Sequence, residues 1–404
     1  MSNKDNPMFM PKRRFPEFKE AGEWESVPLS RLAARTKQKN RDEKIARVLT
    51  NSAEFGVIDQ RDFFDKDIAT QGNLDSYFVV ELGSYVYNPR ISATAPVGPI
   101  SKNKIGTGVM SPLYTVFKFK DESNDFYEHY FKTTGWHGYM RQASSTGARH
   151  DRMAISSEDF MAMPLPISTA KEQQKIADCL SSLDELIAAQ GRKVEALKTH
   201  KKGLMQQLFP RAGETQPRLR FPEFHNTGEW KECTVEEIIV TIAPPKKLQT
   251  SDYQERGDFP IVDQSQVYIC GWTKDSDAVI KKVLPVIVFG DHTCALKFID
   301  QPFAQGADGI KIFSPKRGID TRFLFCSLEA NPVVQESYKR HFSMLKEKLL
   351  FYPDPTTGEQ QRIASCLSSL DVHIAVATQE LDALKTYKKG LTQQLFPSLQ
   401  VVEA

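Results

Sequence analysis

Two segments of the chain carry mainly apolar residues at steps that alternate between four and three positions. Gln190 and Lys201 fill two of these positions in the first segment, and Ala377 and Lys388 fill the corresponding ones in the second. In residues 172–210 these apolar positions are Ile176, Leu180, Leu183, Ile187, Val194, Leu197, Leu204 and Leu208. In residues 359–397 they are Ile363, Leu367, Leu370, Ile374, Leu381, Leu384, Leu391 and Leu395. A strict period of 3.5 residues is typical of a coiled-coil seam, so the pattern predicts two long helices that pair through these positions. Packing of each helix on its own domain is the alternative interpretation.

Both predicted helices have start and stop signals. Thr169–Glu172 and Thr356–Glu359 fit the T-x-x-E pattern of a capping box. Phe209–Pro210 and Phe396–Pro397 follow the last apolar positions, and a proline cannot continue a helix. At a rise of about 1.5 Å per residue, each helix is expected to be a rod of about 58 Å.

The two helical segments are an internal repeat. They are identical at 26 of 39 aligned positions and lie 187 residues apart. A second repeat, which we call the entry motif, reads RFPEFKEAGEW at Arg14–Trp24 and RFPEFHNTGEW at Arg220–Trp230, with an offset of 206 residues. Each half of the chain therefore consists of an entry motif, a block of variable sequence and a repeated helix.

The two variable blocks, roughly residues 30–165 and 236–352, share no evident sequence similarity. The first contains YFVVELGSYVYNP and the second PVIVFGDHTCALKFID, in which short apolar runs alternate with turn residues. Such runs, bounded by glycine and proline, predict short strands. The blocks are therefore expected to be mixed α/β domains, and the whole chain belongs to the α+β class.

The bulk composition limits the possible functions. A length of 404 residues suits two or three domains, and a net charge of +2 confines any nucleic-acid surface to local patches. The first residues lack the apolar core of a signal peptide, and no apolar run reaches about 18 residues, so we expect a cytoplasmic protein that does not span a membrane. The six cysteines have no metal-site spacing and are expected to be reduced thiols.

Catalytic and metal-binding motifs are missing from the sequence. There is no phosphate-binding GxxxxGK[ST] loop, and YNPR at Tyr87–Arg90 has only one of the two prolines of an amine-methyltransferase loop. His292 follows Asp291 and could form half of an acid–base pair or contact a ligand from a turn. We therefore predict a non-catalytic chain without a metal site. Two alternatives are a methyltransferase or nuclease with an undetected catalytic centre, and a scaffold that assembles through the helices without binding DNA.

Basic and polar side chains suited to DNA lie in glycine-rich loops of both blocks. Lysine and arginine neutralise phosphates, and arginine also reads base edges. The candidate DNA contacts are Arg90, Lys102, Lys104, Arg141, Arg149 and Arg152 in the first block and Lys246, Lys247, Lys274, His292, Lys297 and Lys311 in the second. Each of them is also compatible with an ordinary solvated charge. The residues alone thus predict two different recognition domains on a paired-helix spacer.

The doubled helix that begins E-Q-Q-[KR]-I-A and ends L-F-P, combined with two dissimilar blocks, resembles the specificity subunit of type I DNA restriction-modification systems. The resemblance extends from Arg14 to Pro397. It implies two target recognition domains, each for one half of a split site in double-stranded DNA. It also implies that the helices form an antiparallel, pseudo-twofold symmetric coiled coil, which sets the gap between the half-sites and docks two modification subunits.

The resemblance further implies a division of labour. The modification subunits bind S-adenosylmethionine and methylate adenine, the restriction subunits use ATP and Mg, and this chain binds no cofactor. The repeated helix would give two identical partners two equivalent docking sites. The expected order is an N-terminal segment 1–28, recognition domain 29–168, spacer helix 169–210, linker 211–234, recognition domain 235–355, spacer helix 356–397 and tail 398–404.

Overall fold

The computed structural model describes residues 10–41, 43–63, 74–146, 151–211, 213–307, 309–335 and 340–397. The chain forms two compact units. The first unit consists of Met1–Ala189 and Leu381–Ala404, and the second of Gln190–Glu380. Each unit therefore contains one variable block and one part of each long helix.

The helices are α1 Leu29–Leu32, α2 Gln60–Phe63, α3 Asp125–Phe131, α4 His137–Ala143, α5 Ser157–Met161, α6 Ala170–Leu208, α7 Val235–Ile238, α8 Thr321–Ala330, α9 His341–Glu347 and α10 Glu359–Leu395. The strands up to α6 are β1 Glu25–Pro28, β2 Ala33–Arg35, β3 Leu49–Ser52, β4 Gly56–Asp59, β5 Phe78–Val80, β6 Tyr85–Tyr87, β7 Ile100–Lys102, β8 Gly108–Met110, β9 Thr115–Phe119, β10 Ser145–Thr146, β11 Met153–Ala154 and β12 Pro164–Ile167. The strands after α6 are β13 Lys231–Thr234, β14 Ile239–Ile242, β15 Phe259–Val262, β16 Gly271–Thr273, β17 Val279–Ile280, β18 Val286–Gly290, β19 Leu296–Ile299, β20 Phe303–Gln305, β21 Ile310–Pro315 and β22 Leu349–Tyr352.

The first unit is built on a four-stranded antiparallel sheet in the order β2-β9-β6-β7. Aromatic side chains from this sheet and from α3 form its core. Tyr85 on β6 stacks on Phe117 at a ring-centroid distance of 5.5 Å and meets Phe131 edge-on. The buried Tyr85 hydroxyl donates to the Asn124 carbonyl oxygen at 2.9 Å, so its polar group has a partner. Strands β1 and β12 pair at the two ends of the block.

The second unit repeats this framework with a different sequence. Its antiparallel sheet has the order β14-β21-β18-β19, and β13 pairs with β22. In both sheets the strands appear in the spatial order first, fourth, second and third along the chain. A further sheet, β16-β15-β20-β17, is specific to the second unit, while the pairs β3–β4, β5–β8 and β10–β11 are specific to the first. The two blocks therefore share one strand framework and differ in what is added to it.

The predicted strands are present. The YFVVELGSYVYNP run contains β5 and β6, and the PVIVFGDHTCALKFID run forms the antiparallel pair β18–β19. The fold class is thus the predicted one.

The long helices run antiparallel within each unit. In the first unit, Ile176 and Leu180 of α6 share a core with Leu391 and Leu395 of α10, and Lys388 forms an ion pair with Asp184. Residues near the start of α6 therefore meet residues near the end of α10. This pairing confirms the antiparallel coiled coil that the resemblance implied.

The same antiparallel contacts occur in the second unit with the roles of the helices exchanged. Leu208 of α6 shares a core with Ile363 and Leu367 of α10, and Lys201 pairs with Asp371 at 2.6 Å. All predicted seam positions of both helices are buried or half-buried. The helices also pack on the blocks, since the cores that contain them include strand and loop residues. The two interpretations of the seam therefore both hold, because the same cores join the helices to each other and to the blocks.

Each entry motif is tied to the start of a long helix by a buried ion pair. The Arg14 guanidinium donates to both carboxylate oxygens of Glu172, at 2.8 and 2.6 Å, and the Trp24 indole N–H donates at 3.0 Å. Arg220 makes the same bidentate pair with Glu359, at 2.9 and 2.6 Å. The carboxylates are 1% and 0% exposed. The entry motif is repeated because each helix needs a cation at this buried position.

The capping-box prediction was confirmed for one of its two bonds at α6 and was wrong at α10. Thr169 accepts a bond from the Glu172 backbone N–H at 3.3 Å, but the Glu172 carboxylate binds Arg14. At α10 the N–H of Glu359 bonds to Thr357 at 3.3 Å, while Thr356 bonds to Asp354. A buried carboxylate gains more from a bidentate guanidinium than from one backbone N–H, so the long-range pair replaces the local one.

We predict that Arg14→Ala destabilises the first unit by about 3–5 kcal/mol, because it leaves the Glu172 carboxylate buried without a cation. The measurement is the urea midpoint followed by tryptophan fluorescence. Lys175→Ala is the matched control, since Lys175 pairs with Glu17 of the same entry motif at an exposed position, and should leave the midpoint nearly unchanged. Equal effects of the two substitutions would contradict the assigned role of the buried pair.

Candidate nucleic-acid interface

The first unit contains a cleft of about 560 Å³ that is lined by the β3–β4 hairpin and by the loop between β6 and β7. Two of the predicted DNA contacts, Arg90 and Arg152, lie at this cleft. Its other polar lining residues include Asn51, Ser52, Gln60, Asn88, Ser92 and Thr94. Guanidinium, amide and hydroxyl groups bind phosphates and base edges, so the cleft has the side chains that DNA recognition requires.

Arg90 and Arg152 are neighbours because their backbones form an isolated antiparallel bridge. Both guanidinium groups approach Asp151, but only to 3.7 and 3.9 Å. Within the described part of the chain neither guanidinium donates a hydrogen bond, and the Arg90 side chain is 63% exposed. Two adjacent arginines thus keep their planar donors available for a ligand.

A chain of asparagine hydrogen bonds holds the loop that carries Arg90. Asn51 donates to the carbonyl oxygens of Val86 and Pro99, at 2.8 and 3.1 Å. Asn88 donates to the Asn51 carbonyl oxygen at 2.9 Å and accepts the Arg90 backbone N–H at 3.0 Å. Gly98 adopts a positive φ of 81°, and a side chain there would clash with the Asn88 carbonyl oxygen.

Sequence reasoning missed Asn51 and Asn88 as parts of this site. The only local signal was the Asn-Pro pair after a predicted strand. Asn51 is only 2% exposed, and its Oδ1 atom has no hydrogen-bond partner among the described residues. Leaving a buried oxygen unpaired costs free energy. Because Asn51 lines the cleft, this oxygen is a candidate polar contact for a ligand.

The remaining candidates of the first block lie in different surroundings. Lys102 is half-buried, and its ammonium group donates to Asp125 at 2.7 Å. Burial raises the pKa of Asp125, but the hydrogen bond from Lys102 and the charges of Lys102 and Lys104 outweigh it and lower the pKa. Lys104 is 59% exposed and pairs with Glu128. Arg141 is exposed on α4, and Arg149 lies outside the described residues.

Most candidates of the second block are exposed. Lys246 pairs with Asp275 at 2.7 Å, which places it beside the segment that carries Lys274. Lys247 is exposed, and its backbone bridges to Gln305. Lys311 is exposed on β21, with its ammonium group 5.9 Å from the centre of the Phe342 ring. As DNA contacts these lysines stay predictions.

Lys297 is placed differently from what the sequence predicted. Its side chain lies on β19 and is only 4% exposed. The ammonium group donates to the carbonyl oxygens of Asp263 and Val267, at 2.8 and 2.6 Å. Burial lowers the pKa of Lys297. This lysine therefore closes the 263–267 loop from inside, because the strand pairing directs its side chain away from the surface.

His292 and Asp291 do not form the acid–base pair that their adjacency allowed. The Asp291 carboxylate is buried and accepts the backbone N–H of Phe342 at 2.9 Å, at the start of α9. His292 is exposed. Asp291 thus anchors a helix start, while His292 is left as a surface residue.

Among the residues that the structure describes, no three His, Cys, Asp or Glu side chains are grouped so that they could hold a metal ion. None of the described helices combines the length and the apolar character that a membrane crossing requires. All six cysteines are free thiols.

Two curated proteins that are similar to this chain are named as specificity subunits. No protein-family model matches it. It is 25% identical over 327 residues to the type I restriction enzyme MjaVIII specificity subunit of Methanocaldococcus jannaschii, covering 73% of this chain and 70% of that protein. It is 24% identical over 275 residues to the putative type I restriction enzyme MjaX specificity subunit of the same organism, and this match spans 61% of each protein.

Two solved structures share the fold. The S subunit of a type I restriction-modification system from M. genitalium aligns with a TM-score of 0.60 and 14% identity, over 97% of this chain and 100% of that one. A chain from a structural study of complex assembly and conformational transition of the type I R-M system aligns with a TM-score of 0.52 and 14% identity, over 92% and 96%. The sequence relatives and the shared fold confirm the resemblance to type I specificity subunits.

We predict that Arg90→Ala and Arg152→Ala each weaken binding of a cognate DNA duplex by about 1–3 kcal/mol and relax base preference within one half-site, because each removes a guanidinium from the cleft. Fluorescence anisotropy with sets of single-base variants measures both effects. Lys118→Ala removes an exposed, paired cation of the same unit away from the cleft and is the control. Wild-type affinity and preference in both arginine variants would show that this cleft does not face DNA.

Proposed function

We propose that this chain is the DNA specificity subunit of a type I restriction-modification complex. Its two blocks read the two halves of a bipartite site in double-stranded DNA, and its helices dock two methyltransferase subunits and, through them, the restriction subunits. The observation that carries the proposal is a duplicated helix pair combined with two blocks of one framework and unrelated sequence. The duplicated helix pair suits two identical partner subunits, and the two different blocks suit two different half-sites.

The blocks support this reading because their differences are concentrated in insertions on a common sheet. Between the first and second framework strands, the first unit adds β3, β4 and β5, whereas the second adds β15, β16 and β17. The cleft with Arg90 is lined by one of these additions, the β3–β4 hairpin. Recognition through insertions lets each block present different side chains while the frame stays intact.

The helices support docking of two identical partners. The residues that differ between the repeats are concentrated in the middle of each helix, at 189–195 and 376–382. The conserved ends of α6 and α10 meet each other in both units, and the Lys388–Asp184 pair of the first unit is repeated as Lys201–Asp371 in the second. A partner would therefore meet the same composite surface of two helix ends twice.

The proposal places catalysis on the partners. S-adenosylmethionine belongs to the modification subunits, ATP and Mg to the restriction subunits, and this chain contributes recognition without a cofactor of its own. The names of the sequence relatives, which are specificity subunits, support this assignment. The complex is proposed to act in the cytoplasm, where its DNA substrate lies.

We predict that replacing residues 30–165 with the corresponding block of a relative changes one half of the methylated site only. The other half and the gap should persist, because β1–β12 and the Arg14–Glu172 pair close this block as a separate module. Methylation-sensitive sequencing of plasmid DNA from cells that carry the exchanged subunit and its partners reads all three elements. Changes in both half-sites would show that the blocks do not read independently.

We predict that the helices set the gap between the half-sites. Deleting Gln190–Ala196 together with its repeat counterpart Ala377–Ala383 keeps the 3.5-residue phase and shortens the pair by about 10 Å, or up to roughly three base pairs. The same sequencing assay should show a shorter gap between unchanged half-sites. As a control, five-residue deletions shift the seam out of phase and should unfold the pair. An unchanged gap in the in-phase variant would show that the helices do not set this distance.

A further inference from the structure

Each unit has a cleft beside the helix pair, and the helix walls of the two clefts correspond residue by residue. The cleft of the first unit has a volume of about 640 Å³ and that of the second about 770 Å³. The first is lined by Lys385, Lys388, Lys389, Gln393, Asp184 and Ile187. The second is lined by Lys198, Lys201, Lys202, Gln206, Asp371 and Ile374. Members of the two sets are repeat counterparts, 187 positions apart. We call these the lysine clefts.

In each cleft one of the three lysines of the long helices is used within the unit. Lys388 pairs with Asp184, and Lys201 pairs with Asp371 at 2.6 Å and with Glu329 at 3.4 Å. Both lysines are largely buried, with 15% of the side chain exposed. They fasten one helix to the other and are not available for a ligand.

The other two long-helix lysines of each cleft are exposed. Among the described residues, Lys385, Lys389 and Lys202 have no ion-pair partner, and Lys198 pairs with Glu195 at 2.9 Å on the open surface. Like charges four residues apart on a helix repel each other and destabilise it. The same two charges nevertheless stand at the same place in both copies, which points to a negatively charged occupant of each cleft.

The first cleft is especially short of negative charge. Lys12 and Lys132 also line it, and Asp184 is its single lining carboxylate among the described residues. Lys132 lies 3.6 Å from Asp184, which it shares with Lys388, and 3.5 Å from Glu128. Burial lowers the pKa of Lys388, and the charge of Lys132 adds to the effect although Asp184 opposes it. The pKa of Lys201 is raised despite burial, because Asp371 and Glu329 both favour its charged form. An incoming carboxylate would relieve the excess positive charge beside Lys388.

A buried histidine adds an unused polar atom to the first cleft. His129 lines the cleft and is 2% exposed, and burial lowers its pKa to about 4, so the ring is neutral at pH 7. Its Nε2 lies 3.0 Å from the Ser181 hydroxyl, while Nδ1 has no hydrogen-bond partner among the described residues and lies 3.9 Å from the Asp184 carboxylate. With Ser181 as the donor to Nε2, Nδ1 carries the proton and faces this carboxylate from beyond hydrogen-bond distance.

Both lysine clefts also have an apolar floor. Ile187 and the buried Phe396 line the first, and Ile374, Met205 and Leu345 line the second. A DNA backbone offers phosphates and sugars but no continuous apolar surface for such a floor. A protein segment with carboxylates on one side and apolar residues on the other matches both features.

We propose that each lysine cleft binds an acidic, amphipathic segment of the partner that docks on that helix pair. Its carboxylates meet Lys385 and Lys389 in the first unit and Lys198 and Lys202 in the second, and its apolar side covers the floor. The inference rests on the proposed function, because the docked modification subunit is the source of the segment. It specifies where on each helix pair the modification subunit docks and which kind of segment it uses.

The test compares charge reversals in complexes with the modification subunit of the same restriction-modification system. K385E/K389E reverses the exposed charges of the first lysine cleft, and K198E/K202E reverses those of the second. The fourfold variant combines both changes. K171E/R192E reverses two exposed charges on α6 outside both clefts and is the matched control. Native mass spectrometry at about 0.15 M salt counts the partners.

The wild type and the control should bind two modification subunits, each double variant should bind one of them about tenfold more weakly or lose it, and the fourfold variant should bind neither firmly. K385Q/K389Q and K198Q/K202Q, which only neutralise the charges, should show the same pattern to a smaller degree and answer the question where a reversal prevents folding. Circular dichroism melting verifies the fold.

Binding of two modification subunits with wild-type affinity by every variant would overturn the inference. Two partners combined with a smaller salt dependence of DNA binding would also overturn it, because the lysines would then contact phosphates. A wild-type chain that binds no modification subunit would instead refute the proposed function. The two failures are therefore distinguishable.

Discussion

The architecture depends on the buried ion pair that joins each entry motif to the first glutamate of a long helix. Arg14 and Glu172 are 158 residues apart, and Arg220 and Glu359 are 139 apart, yet the two pairs have the same bidentate geometry. The pairs, together with β1–β12 and β13–β22, close each block at its base. A block closed in this way can change in length and sequence without altering the helix that follows. This explains why the two repeats have different offsets.

The helix pair is nearly the same in both units, whereas the blocks differ in most of their structure outside the shared sheet. The helix ends must present the same surface in both units, and there the repeats agree down to the Lys–Asp pairs. The blocks keep only the strand order and the closed base, and their insertions differ. The exposed repeated lysines belong to the first category, because among the described residues only Lys198 has an ion-pair partner, on the open surface. Sequence identity between the repeats thus separates the surfaces that we propose for identical partners from those that we propose for different DNA half-sites.

The periodic features could be predicted from the sequence, and the long-range features could not. A seam such as Ile176 to Leu208 has its own 3.5-residue signature. The runs that became β6 and β18 have a different one, a short apolar run bounded by turn residues. The Arg14–Glu172 pair has no local signature, and Glu172 fitted a capping box equally well. Lys297 was indistinguishable from the exposed lysines, since only the β18–β19 pairing buries it. Arg90 and Arg152 were found as charges, but their meeting at one cleft depends on a backbone bridge across 62 residues.

The central claim is that this chain provides the DNA sequence specificity of a methylation reaction that the modification subunits catalyse. The most direct measurement reconstitutes the modification subunit with S-adenosylmethionine on random-sequence DNA, with and without this chain, and maps the methylated adenines by sequencing. The account predicts methylation only when both proteins are present, at a site of two short specified halves separated by a fixed unspecified gap. Methyl transfer by this chain alone, or a single contiguous methylated site, would contradict it.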